Sequence, residues 1–252
     1  MLRPRLLACL DVAADRVVKG RRFEALEQFG RPEELARCYQ DQGADEVVLL
    51  DITATRERRG PDLTTVNRVA RTLSIPLTVG GGLTTAEQVG RVLAAGADKT
   101  SINTSALSRP ELLREVADRY GTQAVVVAVD IRQQGPGWRV YGHGGQTATA
   151  WTLDAWLREA ETLGAGEVLL TSIDRDGTGQ GYDIAALDAA SHATSRPLIA
   201  SGGGARPADL ELALRVPGVT AVLVAGVLHR GETTVMALKR ALGARGLILR
   251  GA

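Results

Sequence analysis

Two aspartates in this sequence each end a short apolar run. Residues 5–11 read Arg-Leu-Leu-Ala-Cys-Leu-Asp and end at Asp11, and residues 124–130 read Ala-Val-Val-Val-Ala-Val-Asp and end at Asp130. A carboxyl group directly after a buried strand does little for stability, but it can serve as a general acid or base. For either aspartate alone, capping of the following turn is the structural alternative. The pair in matching positions favours catalysis.

Two glycine-rich segments also lie in matching positions, at residues 80–85 and 201–207. Glycines after a strand let backbone N–H groups approach an anion. One such turn is weak evidence, but two predict two phosphate sites and an elongated substrate with a phosphate at each end. Phosphates near the aspartates would raise their pKa values toward the range of a general acid. The predicted ligands are Gly81, Gly82, Asn103 and Thr104 at the first site, and Ser201, Gly202, Gly203, Ala225 and Gly226 at the second.

Further polar residues follow the other apolar runs. Asp51 and Asp176 are predicted to bind hydroxyl or amide groups of the substrate, as part of polar segments that include Thr171 and Gly177. Lys19, in a long connection, is predicted to clamp a phosphate, with a solvated loop lysine as the alternative.

The elements that position these residues follow from periodicity. Short β-branched runs alternate with longer stretches of helical period, which predicts βα units and a parallel sheet. Eight of each predict an α/β fold, a single closed (βα)8 TIM barrel spanning residues 1–252. The predicted strands lie near residues 5–10, 46–51, 76–80, 98–102, 124–129, 167–172, 197–201 and 220–225. The predicted helices lie near residues 32–43, 62–73, 84–95, 108–120, 152–164, 183–194, 206–215 and 232–244.

The chain is an internal duplication, so the barrel is predicted to consist of two half-barrels. Residues 46–50 match 167–171, and residues 76–82 match 197–203, both at an offset of 121. The two aspartates then end the first and fifth strands, which face each other across the barrel, so each would act on a different part of one substrate. The long connections 12–30 and 131–151 follow these strands and are predicted to be lids or substrate clamps, the second as a hairpin.

Composition limits the classes of protein and of binding partner that fit this chain. The 252 residues are 44% apolar with a net charge of +1, so there is no global field to attract nucleic acid or acidic lipid. The sequence has no apolar run long enough for a membrane span and begins without a secretory signal. Two scattered cysteines predict neither a disulfide framework nor a zinc site. We expect a cytoplasmic protein without a metal or cofactor.

Charged residues mark the starts of four strands. The first, second, fourth and sixth begin at or beside Arg5, Glu46, Lys99 and Glu167. If these side chains point inward, they close the bottom of the barrel as a ring of ion pairs. Such a ring is costly compared with an apolar plug, and passage of a small polar molecule would be a reason for it. From the residues alone, surface pairing is the favoured alternative.

Taken together, these residues resemble the cyclase subunits of imidazole glycerol phosphate synthases, from histidine biosynthesis. The resemblance covers essentially the whole chain and is specific because several matching stretches are long and ungapped. The stretches are Ala8-Cys-Leu-Asp-Val, Arg16-Val-Val-Lys-Gly, Leu50-Asp-Ile-Thr-Ala, Val79-Gly-Gly-Gly, Gly96-Ala-Asp-Lys, Ser101-Ile-Asn-Thr, Leu170-Thr-Ser-Ile-Asp-Arg-Asp-Gly-Thr and Ile199-Ala-Ser-Gly-Gly.

The resemblance implies an ammonia-dependent lyase and cyclase. Its substrate would be the bisphosphate PRFAR, a ribulosyl-formimino-aminoimidazole-carboxamide nucleotide, and its products imidazole glycerol phosphate and the aminoimidazole carboxamide ribonucleotide AICAR. A glutaminase subunit would dock on the barrel bottom, form a heterodimer and deliver ammonia through the interior.

The resemblance also assigns roles to residues. It places the catalytic pair on Asp11 and Asp130, and contacts to the glutaminase on Asp98 and Gln123. It implies an ammonia gate at Arg5, Glu46, Lys99 and Glu167, which overturns the preference for surface pairing. One departure is Gly226, which stands where the family is expected to have a serine at the second phosphate. Weaker binding at a surviving site is therefore expected.

Two other functions fit part of the pattern. The sister isomerase of the same pathway needs two phosphate sites and two rim acids on a similar duplicated barrel. It has no use for ammonia, however, so the charged ring and the Cys9-Leu-Asp-Val start argue against it. A non-catalytic phosphate-binding barrel is the other alternative, and the presence of both Asp11 and Asp130 argues against it.

Overall fold

The structure, a computed structural model, describes residues 3–21 and 24–251. Its strands are β1 (Arg5–Ala13), β2 (Arg16–Arg21), β3 (Glu24–Gly30), β4 (Glu46–Asp51), β5 (Leu77–Gly80), β6 (Lys99–Ile102), β7 (Val125–Gln134), β8 (Gly137–Gly142), β9 (Thr147–Thr152), β10 (Glu167–Ser172), β11 (Leu198–Ser201) and β12 (Val219–Val224). Its α-helices are α1 (Pro32–Asp41), α2 (Leu63–Thr72), α3 (Ala86–Ala94), α4 (Thr104–Ser108), α5 (Glu111–Tyr120), α6 (Leu153–Thr162), α7 (Ile184–Ala193), α8 (Pro207–Leu214), α9 (Gly226–His229) and α10 (Val235–Gly243).

Eight parallel strands close into a barrel. They follow one another in the order β1, β4, β5, β6, β7, β10, β11 and β12, and β12 pairs with β1 to complete the circle. Each is followed by at least one helix, so the predicted (βα)8 barrel is confirmed.

The duplication is visible in the strands themselves. β4 and β10 have the same length, and their bounds differ by the offset of 121 residues that the sequence repeat shows. β5 and β11 differ by the same offset. Equivalent strands therefore occupy opposite positions in the circle, and the residues that follow them lie at the same edge of the barrel.

The apolar core has two layers because the residues of a strand alternate between its two faces. One face packs against the helices, and the other fills the barrel. Along β1, for example, Leu6, Ala8 and Leu10 belong to the outer layer, whereas Leu7 and Cys9 belong to the inner one. The buried members of the inner layer are Leu7, Cys9, Val48, Val126, Leu169, Ile199, Ala221, Leu223 and Ala225.

The long connections contain strands that the sequence did not predict. β2 runs antiparallel to β1, and β3 pairs with β2, so much of the first connection is a β-extension at the mouth of the barrel. Its polar composition hid this extension, because a strand exposed on one side lacks the apolar run used to identify strands. Arg22 and Phe23 lie outside the described residues.

The predicted hairpin in the second connection is confirmed. The fifth barrel strand β7 continues to Gln134, pairs with β8, and β8 pairs with β9. Two short helices, α4 and α9, were not predicted. Each is at most five residues long, too short to show helical periodicity, and each directly follows a barrel strand. None of the described helices has the length and apolarity needed to cross a bilayer.

Candidate functional site

Asp11 lies at the mouth of the barrel and pairs with Lys19. β2 pairs antiparallel with the end of β1, and this brings the Lys19 ammonium to 2.8 Å from Oδ2 of Asp11 and 3.4 Å from Oδ1 of Asp176. All three side chains are largely buried. The phosphate clamp predicted at Lys19 is therefore, in this structure, a cation between two carboxylates, and the sequence did not reveal those partners.

Asp130 has different surroundings. The side-chain amide of Asn103, which directly follows the neighbouring strand β6, donates a hydrogen bond of 2.9 Å to its Oδ2. No cation in the described ranges pairs with this carboxyl. Burial raises its pKa to about 7, helped by the nearby Asp176 and Asp11 and opposed by the Asn103 bond. Asp130 is thus poised to exchange a proton near neutral pH.

Asp176 interacts electrostatically with both Asp11 and Asp130. Burial raises its pKa, with Asp11 adding to the effect and Lys19 opposing it. Its Oδ2 is buried and has no hydrogen-bond partner within the described residues. Asp11 and Asp176 in turn help raise the pKa of Lys19 against the opposing effect of burial, so Lys19 is protonated. The site thus holds three carboxyl groups and one cation.

Two glycines in each glycine-rich segment adopt backbone conformations that residues with a side chain rarely adopt. Gly81 and Gly82 have φ values of 110° and 65°, and a Cβ would lie 2.2 Å from the Asp51 carbonyl oxygen and 1.9 Å from that of Arg59. Gly202 and Gly203 have φ values of 91° and 94°. These conformations favour glycine, and any side chain would collide with the neighbouring loop.

The remaining predicted ligands lie near the same mouth. Thr104 begins α4 and accepts a hydrogen bond of 2.9 Å from the backbone N–H of His143 in the hairpin. Thr171 pairs in register with Asp130 on one side and Ser201 on the other. Ala225 and Gly226 begin α9 after β12, and Gly177 directly follows Asp176.

The carboxylate oxygens of Asp51, which are predicted to bind substrate, are engaged by its own loop. Oδ1 accepts hydrogen bonds from the backbone N–H groups of Thr53 and Ala54, and the Arg59 guanidinium pairs with both oxygens at 2.5 and 3.2 Å. Arg59 was not among the predicted residues. Its only signal was an arginine eight residues after a rim aspartate. Asp51 therefore orders the loop that borders Gly82.

At the opposite end of the barrel, the four charged strand starts meet. Arg5 pairs with Glu46 at 2.9 Å and also with Glu167, and Lys99 pairs with the same two carboxylates at 2.9 and 3.0 Å. Each cation contacts both anions, so the ring is closed in this structure. The surface pairing first favoured from the residues alone is therefore wrong.

Two hydroxyl groups that the sequence analysis missed join this ring. Thr78 donates a hydrogen bond of 2.6 Å to Glu46, and Thr220 accepts one of 3.3 Å from Arg5. Threonine within a strand carries no special signal, because its β-branched side chain is common there.

Asp98 and Gln123 lie at the same end, Asp98 directly before β6 and Gln123 two residues before β7. The Asp98 carboxylate accepts a hydrogen bond of 2.8 Å from the backbone N–H of Leu77, and the Gln123 amide donates one of 3.0 Å to the Tyr120 carbonyl. Both side chains belong to exposed residues. Among the residues that the structure describes, no group of three or more His, Cys, Asp or Glu side chains is arranged to hold a metal ion.

Comparison with known proteins agrees with this architecture. The family described as histidine biosynthesis protein matches residues 5–234. The imidazole glycerol phosphate synthase subunit HisF of Myxococcus xanthus is 51% identical over 250 residues, which is 99% of both chains. The subunit of the same name from Thermococcus gammatolerans is 46% identical over 99% of both chains, and that from Halalkalibacterium halodurans is 47% identical over 99% of this chain and 100% of its own. The chain therefore belongs to the histidine biosynthesis protein family and groups, along its whole length, with the HisF subunits of imidazole glycerol phosphate synthase.

Proposed function

We propose that this chain is a single-domain, cofactor-independent cyclase that converts PRFAR and ammonia to imidazole glycerol phosphate and AICAR. The observation that carries the proposal is the pair of facing carboxyl groups, Asp11 and Asp130, with unlike surroundings. Ammonia addition needs a proton removed from the attacking nitrogen, and departure of AICAR needs a proton delivered to the leaving nitrogen. Two carboxyl groups with different hydrogen-bond and ion-pair partners can divide that work.

Asp11 is the base in this proposal, and Asp130 is the acid. Asp11 pairs with the Lys19 ammonium at 2.8 Å, and in this proposal its carboxyl group takes the proton of the attacking nitrogen once the substrate enters. Asp130, whose pKa is raised to about 7, carries a proton over much of the physiological range. The unpartnered oxygen of Asp176 would accept a hydrogen bond from a substrate hydroxyl, and Thr171 and Gly177 flank that contact.

Two phosphate sites hold the substrate across the mouth. Gly81 and Gly82, with Asn103 and Thr104, form the first. Ser201, Gly202 and Gly203, with the backbone of Ala225 and Gly226, form the second. The support is the left-handed backbone conformation of two glycines in each segment, which lets the backbone come close to an anion. Asp51 acts indirectly by ordering the loop beside the first site.

Ammonia would enter from the opposite end, delivered by a glutaminase subunit that forms a heterodimer at Asp98 and Gln123. Arg5 and Asp11 lie on the same face of β1 because they are six residues apart, which is about 20 Å along a strand. The buried inner layer between them is largely apolar. The ring of Arg5, Glu46, Lys99 and Glu167 would therefore act as a gate that opens when ammonia passes.

The test is turnover of PRFAR by the purified chain with an ammonium salt, followed by the formation of AICAR. Asp11→Asn and Asp130→Asn should each lose most of the activity, on the order of a hundredfold or more. Asp188→Asn, an exposed aspartate on α7, is the matched control and should keep the wild-type rate. No turnover by the wild-type chain would refute the proposal, and loss of PRFAR without ammonium and without release of AICAR would point to an isomerase.

A further inference from the structure

The two halves of the barrel differ at the start of their short helices. In the first half, α4 is preceded by Asn103 and begins with Thr104 and Ser105, all with hydrogen-bonding side chains. In the second half, the equivalent residues are Ala225, Gly226 and Val227, none of which has such a side chain.

The backbone is nevertheless the same at both places. The residue that precedes the helix has φ −125° and ψ −91° in the first half, and φ −138° and ψ −85° in the second. The second phosphate site therefore keeps the turn but has no side-chain donor from this segment.

The guanidinium of Arg230 occupies the space above Gly226. An ideal Cβ at Gly226 would lie 2.8 Å from Nη1 and 3.3 Å from Nη2 of Arg230. Arg230 directly follows α9, and its side chain reaches back over the preceding turn, which is the usual direction for a helical side chain. Glycine at position 226 thus leaves room for the cation.

The exposed end of this arginine is available for a ligand. Its Nε donates to Glu232, which fixes the orientation of the planar group. Neither Nη atom has a hydrogen-bond partner in the described part of the chain. A guanidinium whose two Nη groups are both free can bind a phosphate group in a bidentate fashion through that edge.

We propose that Arg230 is a cationic ligand for the phosphate at the second site and replaces the side-chain donor that position 226 lacks. This proposal rests on the proposed function, because it takes the second glycine-rich segment to be a phosphate site. It corrects the expectation that Gly226 weakens the site, since removal of a side chain there admits a stronger, charged donor.

The first experiment measures PRFAR turnover at saturating ammonium for three variants. Arg230→Gln should raise KM by about 10-fold or more, with kcat changed much less, because a charge-assisted contact is lost in the ground state and transition state alike. Arg230→Lys should give an intermediate KM. Arg240→Gln on α10 removes an exposed positive charge elsewhere and should leave KM unchanged. A KM for Arg230→Gln equal to that of Arg240→Gln overturns the proposal.

A double-mutant cycle tests the geometry. Gly226→Ala should raise KM by itself, because its Cβ displaces the guanidinium, and should add little in the Arg230→Gln background. Fully additive effects would show that the two positions act independently and would contradict the proposal.

A binding experiment separates this inference from the reaction. Inorganic phosphate is titrated into the protein, and the backbone amide NMR signals of Gly202, Gly203 and Gly226 are followed, with those of Gly81 and Gly82 as the internal control. Arg230→Gln should weaken the response at the second site alone. If wild-type protein shows that response but does not turn over PRFAR, the proposed function fails and the inference stands. If the second-site signals respond equally in wild type and variant, the inference fails.

Discussion

The ammonium of Lys19 lies 2.8 Å from Oδ2 of Asp11, and β2 brings it there by pairing antiparallel with β1. The extension at the mouth and the proposed catalytic base are thus joined by one ion pair. Because Lys19 also pairs with Asp176, movement of this extension would change the charge around two carboxylates at once.

Replacement of Lys19 by methionine should destabilise the fold in a pH-dependent way. The variant leaves Asp11 and Asp176 buried without their cation, which we expect to lower the free energy of unfolding by about 3 kcal/mol at pH 8. The loss should be smaller at pH 5 than at pH 8, because burial raises the pKa of Asp176 and so favours uptake of a proton as the pH falls. Urea unfolding at both pH values measures this, with Lys19→Arg as the charge-retaining control. An equal loss at both pH values would contradict the explanation.

Asp130 should destabilise the fold as the pH rises. Its folded-state pKa of about 7 lies above the unfolded value, so the folded state favours the protonated form. The protonated Asp130 therefore stabilises the folded state fully below pH 4, and this contribution is lost as the pH rises through about 7. Asp130→Asn should therefore be more stable than wild type by an amount that grows between pH 4 and 7 and then levels off, at roughly up to 4 kcal/mol. Urea unfolding across this range tests the slope, and a pH-independent difference would refute it.

The same pKa predicts the pH profile of the reaction. If Asp130 donates a proton, kcat/KM for PRFAR should fall as the pH rises above about 7, because the free enzyme loses the acidic form. Free ammonia must be held constant by adjusting the total ammonium at each pH. A rate that stays level to pH 9 would assign the acid role to another group.

The ring at the barrel bottom should matter more for glutamine-driven than for ammonium-driven turnover. Lys99→Met removes a cation that pairs with both Glu46 and Glu167, so the ring loses two of its contacts. With the glutaminase subunit present, the yield of AICAR per glutamine hydrolysed should fall several-fold, while the rate with added ammonium should change little. Lys99→Arg is the control that keeps the charge. Equal losses with both nitrogen sources would argue against a gate.

A second buried ion pair should be purely structural. The Lys239 ammonium lies 2.8 Å from Asp45 Oδ1 and 2.6 Å from the Arg250 carbonyl, and Asp45 Oδ2 accepts a hydrogen bond from the Leu6 N–H. Lys239→Met should lower the free energy of unfolding by about 3–5 kcal/mol. Addition of Asp45→Asn should recover part of the loss, because it removes the unpaired charge. Ammonium-driven kcat/KM should stay at the wild-type value where the variant is folded, and a large drop would contradict a structural role.

The sequence predicted most of the barrel because its strands are buried on both faces and most of its longer helices are amphipathic. Those patterns are local, so the alternation of eight strands and eight longer helices could be identified without contacts. β2 and β3 could not, because strands at the mouth are partly polar and gain their order by pairing with β1. The short helices α4 and α9 contain too few residues for a periodic signal.

The sequence alone also determined which residues can take part in chemistry and where they lie along the strands. Asp11 and Asp130 follow apolar runs, the glycine pairs recur at a fixed offset, and Arg5 shares a strand face with Asp11 because strand periodicity is two. What only the tertiary structure decided is which groups meet: Lys19 with Asp11, Asn103 with Asp130, Arg59 with Asp51, and Arg230 with Gly226. Such partners depend on distances that barrel closure and loop conformation set. The protonation of each carboxyl depends on those partners and on burial, so the pKa that distinguishes Asp130 belongs to the fold.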